Sequence, residues 1–99
     1  MKMPLQIGQE RVTLRVVPSE RNHLSFLYDQ AKWKDSGLYS VSDGDMETTF
    51  VPCRGERTTT FAGGFIVAGS RCASVDLFIG NAQVPRRVEL PFGLRDCRP

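Results

Sequence analysis

Alternation of apolar and polar residues with a period of two is the feature that most limits what this chain can fold into. "RVTLRVV" puts Val12, Leu14 and Val16 on one side and Arg11, Thr13 and Arg15 on the other. "ASVDLFIG" sets Val75, Leu77 and Ile79 against Ser74, Asp76 and Phe78, and "RRVELPF" aligns Val88, Leu90 and Phe92 opposite Arg87 and Glu89. Each is the pattern of a strand with one face buried and one in water. No segment carries a convincing helical stripe.

Turn chemistry agrees with strands. Asp43-Gly44 lies between two alternating runs, "GLYSV" at 37–41 and "METTFV" at 46–51. It reads as a type I′ hairpin, whose central residues need positive φ. "IGNAQ" at 79–83 is a second reversal, returning the chain antiparallel over 84–92. Pro91 lacks an N–H, so the last strand is expected at an edge or to end in a bulge. "LSFLY" at 24–28, the start of "LSFLYDQAKW", which also fits two helical turns, and "TTTF…FIV" at 58–67 complete the set. The expectation is an all-β fold, an antiparallel β-sandwich or small partly open barrel of about seven short strands. Ninety-nine residues suit one domain over 1–99, with residues 1–10 loosely ordered.

"TTTFAGGFIVAGSRC" at 58–72 interrupts the most hydrophobic stretch with Gly63-Gly64. A phosphate-cradling loop would lead into a helix and commonly carry a Lys-Ser/Thr pair, and neither follows. Within a strand pattern, a Gly pair marks a bulge where the chain bends or a neighbouring backbone comes close. Phe65 and Val67 are expected to face the core.

Composition excludes little beyond this. The chain has 13 basic and 11 acidic residues, a net charge of +2, too balanced to imply an electrostatic partner. Arg86, Arg87, Arg95 and Arg98 are the nearest thing to a basic cluster; charges on a solvated strand explain them, and no nucleic-acid binding is expected. No apolar run approaches the length of a membrane span. "MKMPLQIGQERV" has an early Lys but no apolar segment behind it, so a cytoplasmic location and an exported segment without its leader both stay open.

Cys53, Cys72 and Cys97 are spaced by 19 and 25 residues. Zinc sites use close ligand pairs, and the single histidine, His23, is far away in sequence, so no metal is expected. The same shortage of imidazoles argues against a thiol or serine nucleophile with a base, and no catalytic residue or cofactor is expected. Asp43, Asp45 and Glu47 in "DGDME" lack the remaining ligands of a calcium loop and read as solvated turn acids. The cysteines stand at element boundaries, which suits staples between strand ends. A Cys53–Cys72 disulfide is expected if the Gly63-Gly64 bend brings the two together, with Cys97 free or an alternative partner. Three reduced thiols would be the cytosolic alternative. Tyr28, Trp33 and Tyr39 form a candidate interaction surface, since amphipathic aromatics are enriched at interfaces.

The pieces "YSVSDGD", "TTFVPC", "TTTFAGGFIVAGSRC", "SVDLFI" and "RRVELPFGLRDC" together resemble a group of small exported actinobacterial proteins. The resemblance covers about residues 37–97. Its motifs are structural, and the group has no assigned activity, so no catalytic residue carries over. In that group the pattern follows a signal or membrane anchor, which implies an extracellular or envelope location. The function expected is a non-catalytic exported domain that contacts another protein or an envelope component. The alternatives are a cytosolic or phage-type structural β module, and an enzyme with an unfamiliar site built from Asp43, Asp45 and His23.

Overall fold

A computed structural model describes residues 2–97. These residues contain eight strands: β1 (Leu5–Ile7), β2 (Val12–Val16), β3 (Leu24–Leu27), β4 (Glu47–Phe50), β5 (Thr59–Phe61), β6 (Gly64–Val67), β7 (Arg71–Ile79) and β8 (Arg86–Phe92). Three short 3₁₀ turns, at Pro18–Glu20, Gln30–Lys32 and Val41–Asp43, are the only helical elements among the described residues. The fold is all-β and antiparallel, as the alternation requires, and it does not close into a barrel. One four-stranded sheet runs in the order β4-β2-β7-β8, and two separate ladders pair β1 with β5 and β3 with β6.

The core lies on the inner face of the large sheet. Leu14 and Val16 of β2, Ala73 and Val75 of β7 and Phe92 of β8 meet Leu24 and Phe26 of β3 and Phe65 of β6. Phe65 is the hub: its ring centroid lies 5.5 Å from Phe26 and 5.2 Å from Phe92. Tyr28 stands edge-on to Phe50 at 5.0 Å, and Phe50 packs on Phe61 at 4.9 Å. Tilted and edge-to-face rings of this kind add about 0.5–1.5 kcal/mol per pair beyond area burial.

Gly63 and Gly64 act at a junction between ladders. The stretch 58–67 is two strands in different ladders, β5 on β1 and β6 on β3. Gly63 has φ +151°, and a Cβ there would sit 2.5 Å from the Leu27 carbonyl oxygen and run into the Tyr28 ring. The backbone of β3 therefore passes too close for any side chain. As expected, Phe65 is buried and Val67 packs against the core.

Several local expectations are corrected. Part of the N-terminal segment expected to be loosely ordered is held in a ladder: β1 pairs with β5 and Ile7 is buried. The 37–41 stretch forms no strand, and Asp43-Gly44 is not a type I′ hairpin. Val41–Asp43 is a 3₁₀ turn, and Gly44 is extended at φ −99°. Gly44 is required for a different reason. The Phe26 N–H donates to Asp45 O (2.8 Å) and the Asp45 N–H to Phe26 O (2.9 Å). This pinches the loop against β3, so that a Gly44 Cβ would lie 2.7 Å from Phe26 O and overlap Ser25. Pro91 does lie on an edge strand, β8.

Gly44→Ala and Gly63→Ala should each lower stability by about 1–3 kcal/mol in a denaturant titration, because backbone has to move. Gly8→Ala, where a Cβ meets nothing within 4 Å, should leave stability unchanged or slightly raised.

Candidate functional site

Strands of period two leave every second side chain of the large sheet on its solvent face. In register across the four strands stand Glu47 (β4), Arg15 (β2), Asp76 (β7) and Arg87 (β8). Their charges alternate in sign. Arg15 Nη2 lies 3.0 Å from Glu47 Oε1, and Arg87 grips Asp76 with two donors, Nε at 3.0 Å and Nη2 at 3.3 Å. The fork of a guanidinium matches a carboxylate's two oxygens, which makes the Arg87–Asp76 pair directional as well as attractive. Asp76 was expected to be solvated but is buried, and Arg87 is the ion that compensates it. Opposite charges on Arg15–Glu47 are exposed and contribute little.

One residue pair toward the β2 N-terminus, Thr13 and Thr49 share a hydroxyl hydrogen bond of 2.9 Å, and the Arg15 guanidinium lies 4.8 Å above the Phe78 ring. Arg11 then donates to Asn81 Oδ1 at 2.8 Å and to Gly80 O, bracing the β7–β8 turn. These side chains line a shallow depression on the sheet. It continues past Arg11, Gly80 and Asn81 into a second, more apolar one walled by Val51, Pro52 and Ile79. Val51 is 64% exposed and Ile79 41%. The arrangement offers aimed hydrogen-bond donors and apolar surface side by side, with Arg15 and Glu47 already paired to each other. That chemistry suits contact with the surface of another macromolecule.

Ile79 was expected to face the core with Val75 and Leu77. It lies at the end of β7 opposite Val12, where the sheet runs beyond the core. The Val51-Pro52 pair and the arginine brace escaped sequence reasoning as well. The available signal was an apolar "FVP" leading into a polar loop, which marks no surface until β4 is placed beside β2.

The other predicted residues are dispersed. Tyr28 belongs to the core: its hydroxyl donates to Met3 O at 2.6 Å, and burial pushes its phenol up to about 12. Trp33 is exposed, and the Tyr39 hydroxyl accepts from the Lys34 N–H in the same long excursion between β3 and β4. Tyr28 thus packs against the core, whereas Trp33 and Tyr39 belong to that excursion. Asp43, Asp45 and Glu47 are separated into ion pairs with Lys34, Lys32 and Arg15. His23 enters the backbone ladder through its N–H to Glu20 O and its carbonyl, which accepts from Ala68. Arg98 lies outside the described residues; Arg86 and Arg87 sit on β8, and Arg95 follows it.

The expected Cys53–Cys72 bridge is corrected too. Cys72 is bonded to Cys97, with a Cα–Cα separation of 5.7 Å, and Cys53 is a free, exposed thiol. The Gly-Gly bend sends β5 and β6 into different ladders instead of bringing Cys53 to Cys72. Cys72 stands opposite Pro91, so the reversal after Phe92 returns the tail to it. Cys53 is held in its loop by its N–H donating to Thr59 Oγ1 at 2.9 Å. Glu89 joins the two bonded sulfurs as the only close group of metal-type ligands among the described residues, but sulfurs spent on a disulfide do not ligate.

Two expectations follow. Non-reducing peptide mapping should link the fragments carrying Cys72 and Cys97 and leave Cys53 alkylated; Cys72→Ser should cost about 3 kcal/mol by the loop-entropy estimate for a separation of 25 residues. The second concerns Asp43, whose carboxyl is held down at about 2 by the Ser40 N–H and then by Lys34. Its folded value lies below the ordinary 3.8, so its stabilisation is present above that pH and is lost as pH falls toward 2. Asp43→Asn should flatten the stability profile in that window, measured by denaturant midpoints.

No protein-family model, curated protein or solved structure matches the chain, so the chemistry of this surface rests on its own residues.

Proposed function

We propose that the protein is a non-catalytic exported domain that binds a partner protein at the cell envelope through the surface formed by Arg11, Val51, Pro52 and Ile79. The observation that carries this reading is the exposure of Val51 and Ile79 in one depression, beside an arginine held in place by Asn81. Apolar side chains gathered at a polar rim are the usual form of a protein-binding patch, and arginine is enriched in such interfaces.

Export is supported separately. A Cys72–Cys97 disulfide persists in oxidising compartments and is rare where glutathione keeps thiols reduced. The spacing of cysteines and glycines between residues 37 and 97, similar to that of small exported actinobacterial proteins, points the same way. Among the described residues no helix is long and apolar enough to cross a membrane.

A photo-crosslinking residue placed at Ile79 in the producing cell should capture one defined partner, and the same residue at Gln6, on β1, should not. Ile79→Asp with Val51→Asp should weaken that partner's binding about tenfold or more, while the circular dichroism spectrum and melting midpoint stay as they were. Equal capture from both positions, or unchanged affinity in the double variant, would refute the surface. Thiols that alkylate fully in freshly lysed cells would refute export.

A further inference from the structure

From the charge row on the large sheet and the sequence of its last strand, we infer that β8 is the interface of a symmetric dimer, pairing antiparallel with β8 of a second copy about Val88. The sheet order β4-β2-β7-β8 leaves the outer side of β8 without a strand among the described residues. The row of charges across that sheet, Glu47, Arg15, Asp76 and Arg87, ends on a cation at this open margin. Arg87 uses Nε and Nη2 on Asp76, and its side chain remains 61% exposed. The next group that continues the alternation is a carboxylate.

The strand itself supplies one. Backbone groups pointing outward from an edge belong to every second residue, so hydrogen bonds across a twofold axis join residues of the same parity. The axis must then pass through a residue. Centred on Arg87 it sets Arg87 against Arg87, and centred on Glu89 it sets Glu89 against Glu89; like charges directly opposite are destabilising. Centred on Val88, it places each Arg87 opposite Glu89 of the second copy, twice. No described cation pairs with Glu89 within the protomer. The same axis brings Pro85 opposite Pro91, so the ladder over Arg86–Leu90 ends at a proline on both sides. Every residue between those prolines keeps its N–H.

The inner side agrees with this register. Val88 and Leu90 are half-buried and pack against the margin of the core. Pairing sets Val88 on Val88 and Leu90 beside the aliphatic stem of Arg86, covering apolar surface that the protomer leaves open. Prolines and charges on an edge also serve to prevent pairing. Here the prolines mirror one another about Val88, and the charges disfavour the registers centred on Arg87 and Glu89 while favouring the one centred on Val88. The dimer is isologous, an eight-stranded sheet in which the Val51–Ile79 surfaces stay uncovered.

Sedimentation velocity on the Cys53→Ser protein, which removes the free thiol, should give a dimer of the 11.1 kDa chain at about 100 μM. Glu89→Arg, an exposed change, should raise the dissociation constant about tenfold or more, since both cross-strand pairs become repulsive. In the Cys53→Ser background, Val88→Cys should cross-link to itself under mild oxidation and Glu89→Cys should not. A monomer throughout the concentration range, a dimer indifferent to Glu89→Arg, or cross-linking at position 89 in preference to 88 would each overturn the proposal.

Discussion

The close approach of Gly63 to the backbone of β3 is the constraint on which the arrangement of this protein depends. With Leu27 O and the Tyr28 ring occupying the place of a Cβ, the chain can leave the β1–β5 ladder and enter the β3–β6 ladder within two residues. The same point anchors the N-terminus: the Met3 N–H donates to Gly63 O at 3.0 Å, and Met3 O accepts from the Tyr28 hydroxyl. Phe65 follows at once and meets both Phe26 and Phe92, joining the small ladders to the large sheet. One missing side chain therefore sets the positions of β1, β3, β5 and β6 together.

The large sheet is held by different means on its two faces. Inside, apolar burial of Leu14, Val16, Ala73 and Val75 is non-directional and fixes which face turns inward. Outside, the alternating row through Asp76 is directional and opposes slippage between strands, since a shift of one residue would turn every side chain to the other face. A buried carboxylate is costly when left alone, and Asp76 is tolerated because Arg87 reaches it from the neighbouring strand. The disulfide works at the other end of the same strand pair, tying the tail to β7 opposite Pro91.

This division explains where binding surface is available. At the Gly80 end the core has run out, so Ile79 continues the strand without continuing the burial, and Val51-Pro52 leaves β4 beside it. Arg11 and Asn81 hold the rim. At β8 the core side is half-covered and the outer side ends in an arginine. Both surfaces arise because a chain of this length fills only one layer between its sheets, and the margins of that layer are open.

Much of the fold was legible in the residues themselves. Alternation placed β2, β7 and β8, with Leu14, Val16, Val75 and Phe92 inward, and Pro91 marked β8 as an edge strand, because side-chain period and a missing N–H are properties of a few consecutive residues. What those residues could not specify was which segments meet. Gly44 looked like a hairpin glycine and serves as clearance for Phe26; Asp76 looked solvated and is buried under Arg87; Cys72 looked set to pair with Cys53 and pairs with Cys97. Each outcome depends on a neighbour distant in sequence, Phe26 across a loop, Arg87 on the next strand, Cys97 beyond the last turn. Strands and faces could be read wherever the alternation is unbroken, as in β2, β7 and β8, but their partners could not, because local pattern carries periodicity whereas pairing is chosen by the packing of the whole core.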